Sequence, residues 1–184
     1  MIIVGYQGIG KSSLAKQHPR VIDFESSNFF VDGERPETWP QIYANIAKHL
    51  SDQGYIVCIS SHQVVRDALL PYRDDVVCIY PAKDLKTEWI QKLKERYNET
   101  KEMKDYKAWK NAEEGYEEQV ESIWSGDLPR YTISNMDYGL DEIIFSIRAG
   151  LSSDRKKYID SLTKDMMYHV LEYGELIKSS NSLF

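Results

Sequence analysis

Residues 1–18, MIIVGYQGIGKSSLAKQH, constrain this chain more than any other stretch. Met1–Val4 is a short apolar run of the kind that forms a buried strand, and Ser12 onward can open a helix that ends before Pro19. Between them, Gly5-Tyr6-Gln7-Gly8-Ile9-Gly10-Lys11-Ser12 fits the pattern G-x-x-x-x-G-K-[ST]. A strand, a glycine turn and a helix start, in that order, predict the first unit of an α/β fold with a largely parallel sheet. The same octet occurring by chance in a glycine-rich turn would need neither flank.

The pattern is the Walker A phosphate-binding loop. Glycines let the backbone approach phosphate oxygens and turn successive N–H groups inward. The helix start adds partial positive charge. The nucleotide-binding candidates are therefore Gly5, Gly8, Ile9, Gly10, Lys11, Ser12 and Ser13. Lys11 is placed to reach the β- and γ-phosphates, and Ser12 to ligate Mg²⁺. Guanine-reading Asn-Lys-x-Asp is absent, which favours ATP over GTP.

Composition narrows the class without naming a function. A chain of 184 residues can bury one sizeable core. Its net charge of −6 disfavours coating nucleic acid by bulk charge, although a local basic groove stays open. Cys58 and Cys78 fall inside predicted strands and read as small core residues rather than a disulfide or a zinc site. The expected setting is the reducing cytoplasm, with no signal peptide and no membrane partner.

Further along, strands are predicted at Arg20–Phe24, Tyr55–Ser60, Val76–Tyr80 and Tyr131–Ser134. A helix starting near Trp39–Pro40 and stopping at Gly54 has Trp39, Ile42, Tyr43, Ile46, Ala47 and Leu50 as its predicted buried stripe. Short helices follow at about Val64–Leu70 and at Leu140–Arg148. The charged segment 84–124 reads as a helical pair, with one stripe at Leu85, Trp89, Leu93 and Tyr97 and a second at Tyr106, Trp109, Ala112, Tyr116, Val120 and Ile123. After a stop at Gly150, a last helix capped at Ser153 or Asp154 carries Tyr158, Leu162, Met166, Val170 and Tyr173, followed by a polar tail after Gly174. The expected division is a core over 1–150, with 84–124 as a lid, and a C-terminal helical extension over 151–184 packed on the same domain.

Ligands collect at the carboxyl ends of strands in sheets of this kind. That rule selects Asp23 and Glu25, two residues apart and so on one side of an extended chain. Either can hold metal waters or take a proton from an attacking hydroxyl, with Asp23 the better placed. The alternative is a solvated acidic loop. Tyr55–Ser60 runs into Ser60-Ser61-His62 and carries no carboxylate, so water activation by a strand-three acid is not expected. Magnesium is then left to Ser12, Asp23 and water, with Ser60 further out. Arg66 is either a clamp on an acceptor's phosphate or carboxylate, or a surface arginine. His62 is a substrate contact or a plain loop histidine. Arg96 is either a cation that closes on the transition state or part of a salt-bridged helix face.

These features together resemble the nucleotide-kinase branch of the P-loop proteins: nucleoside monophosphate kinases and the related gluconate- and shikimate-type kinases. The resemblance covers roughly residues 1–150. It rests on Gly5–Ser12, the Asp23 strand end, Ser60-Ser61-His62-x-x-x-Arg66, the helical insert and Asn135-Met136-Asp137-Tyr138. It implies a three-layer P-loop fold, a five-stranded mostly parallel sheet flanked by helices, with a helical lid. It further implies Mg·ATP, acceptor contacts at Asp23 and Arg66, a lid cation at Arg96 and an adenine-side contact at Asn135. Departures from the family are the sparse lid arginines, the missing Asp-Arg after strand three and the added C-terminal helix. The expected activity is phosphoryl transfer from ATP to a small acceptor, a nucleoside or nucleotide, by a monomer or homodimer. Two alternatives stay open: a nucleotide-binding switch with slow hydrolysis, and a kinase acting on a base or end within nucleic acid.

Overall fold

A computed structural model describes residues 1–148 of the chain. The expected C-terminal helix, its cap, the Gly150 stop and the polar tail lie outside the described residues. The chain divides into two compact units, Met1–Ile144 and Phe145–Phe184, and the first holds the sheet and every residue of the site.

Five strands, β1 (Ile2–Gly5), β2 (Val21–Asp23), β3 (Ile56–Ser60), β4 (Val76–Pro81) and β5 (Arg130–Ile133), form one parallel sheet in the order β2-β3-β1-β4-β5. Helices flank it: α1 (Lys11–Gln17), α2 (Trp39–Asp52), α3 (Gln63–Ala68), α4 (Lys86–Thr100), α5 (Met103–Trp124) and α6 (Leu140–Arg148). The arrangement is consistent with a three-layer α/β fold. Central strands of such sheets are covered on both faces and so read as continuous apolar runs. β1 and β4 obey this: every residue of both is buried. Among the described residues, no helix is long and apolar enough to cross a membrane.

One expectation about packing needs correction. On α2 the buried residues are Trp39, Tyr43, Ala44, Ala47 and Ser51, while Ile42 is 45% and Ile46 39% exposed. The helix lies close against β3 and β1, and a close approach favours small residues on the facing side. The Met1 nitrogen donates to Ser51 Oγ at its far end, at 2.6 Å. In the insert over 84–124 the two expected stripes are buried at Leu85, Trp89, Leu93, Ala112, Tyr116, Val120 and Ile123. Tyr6, directly after β1, meets Trp89 and Tyr116 edge-on, with ring centroids 6.4 and 5.7 Å away. Between the buried Ala112 and Tyr116, α5 is broken at Gly115, whose φ of −135° and ψ of 20° are not helical.

Cys58 and Cys78 are free and buried, as expected of core residues. Burial pushes both thiols up to about 12. At pH 8 the reactive thiolate is then about one part in ten thousand at each. Neither cysteine is expected to react with a thiol-specific reagent in the native protein, and both are expected to react after unfolding. Rapid labelling of the folded chain would contradict the packing.

Candidate functional site

The connection leaving β1 runs to β2 at one edge of the sheet, whereas the one leaving β3 crosses to β4 on the other side of β1. Such a reversal opens a crevice beyond the carboxyl end of the central strand. The loop 6–10 fills that position, between β1 and α1. Gly5 permits a close fold-back: a Cβ there would sit 2.5 Å from Ile9 Cδ1 and 2.9 Å from Lys11 Cδ. Gly8 has a φ of +86°, and a Cβ on it would stand 2.8 Å from Leu93 Cδ2. Both the backbone conformation and the space therefore require glycine. The loop is held from two sides. Tyr6 N–H donates to Ile79 O at 2.9 Å, extending the β1–β4 ladder by one residue. From α4, Trp89 Nε1 donates to Gln7 O at 2.9 Å.

Lys11 folds back over this loop, with Nζ donating to Gly5 O at 2.9 Å and Tyr6 O at 3.3 Å. Burial pulls its pKa below the ordinary lysine value, while the nearby carboxylates Asp23 and Glu25 oppose that shift. Ser12 Oγ donates to Asp23 Oδ2 at 2.5 Å. The other carboxylate oxygen, Asp23 Oδ1, is buried and has no protein partner, and the same holds for Ser60 Oγ. Each such orphan costs about 1–3 kcal/mol unless something outside the protein satisfies it. An ammonium, a hydroxyl and an unsatisfied carboxylate oxygen thus meet where the crevice opens.

Tyr43 braces this arrangement from α2. Its hydroxyl donates to Phe24 O and accepts from Ser60 N–H at 3.2 Å, tying the ends of β2 and β3 together. The buried stripe marked Tyr43 only as core; a tyrosine rather than a phenylalanine among buried positions was the available signal.

The other sequence candidates divide. Ile9 is buried over Gly5, and Ser13 is exposed in the first turn of α1. Arg96 pairs with Asp105 at 2.8 Å, and that buried carboxylate also accepts from Thr100 Oγ1 at 2.6 Å. The Arg96 guanidinium contributes to lowering the Lys11 pKa, so it lies within electrostatic reach of the loop, and its Nε is buried without a partner. Glu25 is exposed and acts on Lys11 more weakly than Asp23.

Arg66 requires a correction as an acceptor clamp. It is buried, and its guanidinium donates to Ser61 O at 2.6 Å, Ser122 O at 3.0 Å, Ser122 Oγ at 2.5 Å and Gln63 Oε1. It fastens α3 to α5, a partner 56 positions away. Asn135 uses its side-chain oxygen locally, accepting from Asp137 N–H at 2.9 Å in the loop after β5. That loop leads into α6, which does approach the glycine turn: a Cβ on Gly10 would lie 3.7 Å from Leu140 Cβ.

The oxygen-only donor set suits a hard cation. Asp23 Oδ1 has an open coordination position, and Ser12 keeps its lone pairs because its proton points at Asp23. Among the described residues there is no cluster of three or more His, Cys, Asp or Glu side chains that would cage a metal by themselves. Mg²⁺ fits that economy, since it commonly takes one or two protein oxygens together with phosphate oxygens and water.

No protein-family model matches this sequence, and no curated protein matches it.

Proposed function

We propose that the chain is a P-loop phosphotransferase that moves the γ-phosphate of Mg·ATP to a small acceptor, a nucleoside or nucleotide. The observation that carries this reading is the meeting of Lys11, the Ser12–Asp23 hydrogen bond and the unpartnered Asp23 Oδ1 at the mouth of the glycine loop. The loop N–H groups and Lys11 bind and orient the triphosphate. The third Lys11 proton, not used on Gly5 O or Tyr6 O, is available to a phosphate oxygen. Bound with the nucleotide, Mg²⁺ would supply neutralisation of phosphate charge. Asp23 and Ser12 would hold it, and Asp23 also lies where a carboxylate can orient or deprotonate an acceptor hydroxyl. Arg96, released from Asp105 as the tip closes, would add positive charge over the transferring group.

Asp23→Asn tests this reading because it keeps the size and the Ser12 partner but removes the charge. Acceptor-dependent ADP formation is expected to fall by about a hundredfold or more. The Mg²⁺ dependence of nucleotide binding, read by calorimetry, is expected to flatten, with the melting temperature little changed. Wild-type turnover and an unchanged Mg²⁺ requirement would remove Asp23 from the mechanism.

One observation favours a second reading. β3 ends in Ser60 with no carboxylate to activate water, which suits a nucleotide-binding switch with slow hydrolysis. Stimulation of ADP release by an acceptor separates the two.

A further inference from the structure

β1, β4 and β5 run parallel, so β4 and β5 begin at the edge of the sheet opposite the glycine loop. A hollow of ≈ 700 Å³ opens at that edge, between the short helical turn Leu70–Asp75 and the link from α5 to β5. Its size falls in the range of small-molecule sites. The link is anchored along its length. Ser125 donates to Glu121 O at 2.8 Å from both its N–H and its Oγ. Cys78 N–H donates to Pro129 O at 2.7 Å, and Leu128 is buried. The hollow is therefore formed before any ligand arrives.

Its walls present two guanidiniums and an indole. Arg130 Nη1 donates to Gly126 O at 2.7 Å, and the guanidinium stands 5.9 Å from the Trp124 ring centroid. Arg73 lines the other wall. Among the described residues its guanidinium has no ion-pair or hydrogen-bond partner. Trp124 ends α5 and is 54% exposed. Asp127 is the one carboxylate of the lining, so guanidiniums outnumber acids here in a chain whose net charge is −6.

An exposed indole face stacks on any planar base, and a guanidinium fork matches phosphate oxygens. An inorganic anion would leave the indole unused, and an apolar ligand would leave the guanidiniums unpaired. A base carrying a phosphate uses both. Asp127 adds an acceptor for an amino group on the base. We propose that this hollow is a second nucleotide site, separate from the glycine loop, in which Trp124 stacks on the base and Arg73 and Arg130 hold its phosphate. The nucleotide is either free or one unit of a single strand, and the site stands whether or not the chain is a phosphotransferase.

The test is calorimetric titration of the full chain with AMP and, separately, with a single-stranded deoxyadenosine oligomer. Mg·ATP is titrated as the control for the glycine loop. Trp124→Ala and Arg73→Met should each weaken one binding event by about tenfold or more while Mg·ATP affinity stays as it was. Trp124→Phe, which keeps a stacking face, and Arg73→Lys should each retain part of the binding. Both side chains are exposed, and thermal melts check that every variant is folded. Loss confined to AMP assigns the site to a free nucleotide, and loss of oligomer binding assigns it to a strand. The proposal is overturned if neither ligand loses affinity in these variants, or if the variants weaken Mg·ATP by the same factor.

Discussion

Lys11→Ala is expected to lower acceptor-stimulated ADP release by about a hundred- to a thousandfold while the chain stays folded. The size follows from what Lys11 is. It is a half-buried cation whose ammonium is turned onto Gly5 O and Tyr6 O at the end of β1. Charge placed in advance, where water is excluded, acts on a developing negative charge without having to reorganise. The structural cost is small because the two hydrogen bonds lost are offset by relief of a desolvated ammonium, whose pKa burial pulls down. The melting temperature should stay within a few degrees. Lys11→Met, which keeps the stem, should lose activity equally and melt closer to wild type. An active Lys11→Ala variant would remove the phosphate-binding role from the loop.

The largest expected change in stability comes from Trp89→Ala. Trp89 is 1% exposed, packs edge-on to Tyr6 and touches the turn at Gly8. Truncating a buried tryptophan costs about 3–5 kcal/mol. For a domain of this size that is a fall of roughly ten degrees in Tm. The same change releases Gln7 O from the indole N–H, so the glycine loop loses its support from α4. Mg·ATP affinity should therefore fall as well. Trp89→Phe separates the two effects, since it keeps most of the packing and loses only the hydrogen bond, for about 1 kcal/mol. A Trp89→Ala protein that melts like wild type would show that α4 is not docked on the loop.

How far the sequence carried the reading depended on how local each signal was. The βα unit at residues 1–18 was legible because its strand, turn and helix are contiguous. Asp23 was legible because a strand-end rule needs only the strand boundary, and the strand-two carboxylate does meet Ser12. Arg66 was not legible. Whether a guanidinium is free depends on its tertiary partner, and Ser122 lies on a helix that no local pattern links to α3. On α2, periodicity found the helix but placed Ile42 and Ile46 inside, because a hydrophobic stripe does not reveal which face small residues such as Ala44 let approach the sheet. The stripe at Leu85, Trp89 and Leu93 was legible as packing, but not that Trp89 and Leu93 pack against the glycine loop.

The most direct measurement is ADP release from Mg·ATP by the purified chain, with nucleosides, nucleoside monophosphates, sugar acids and single-stranded oligonucleotides as acceptors and Lys11→Ala as the control. The account predicts strong stimulation by a nucleoside or nucleotide that disappears in the Lys11→Ala protein. A slow rate that no acceptor changes, in a chain that binds ATP, would contradict phosphotransfer and leave a nucleotide-binding switch.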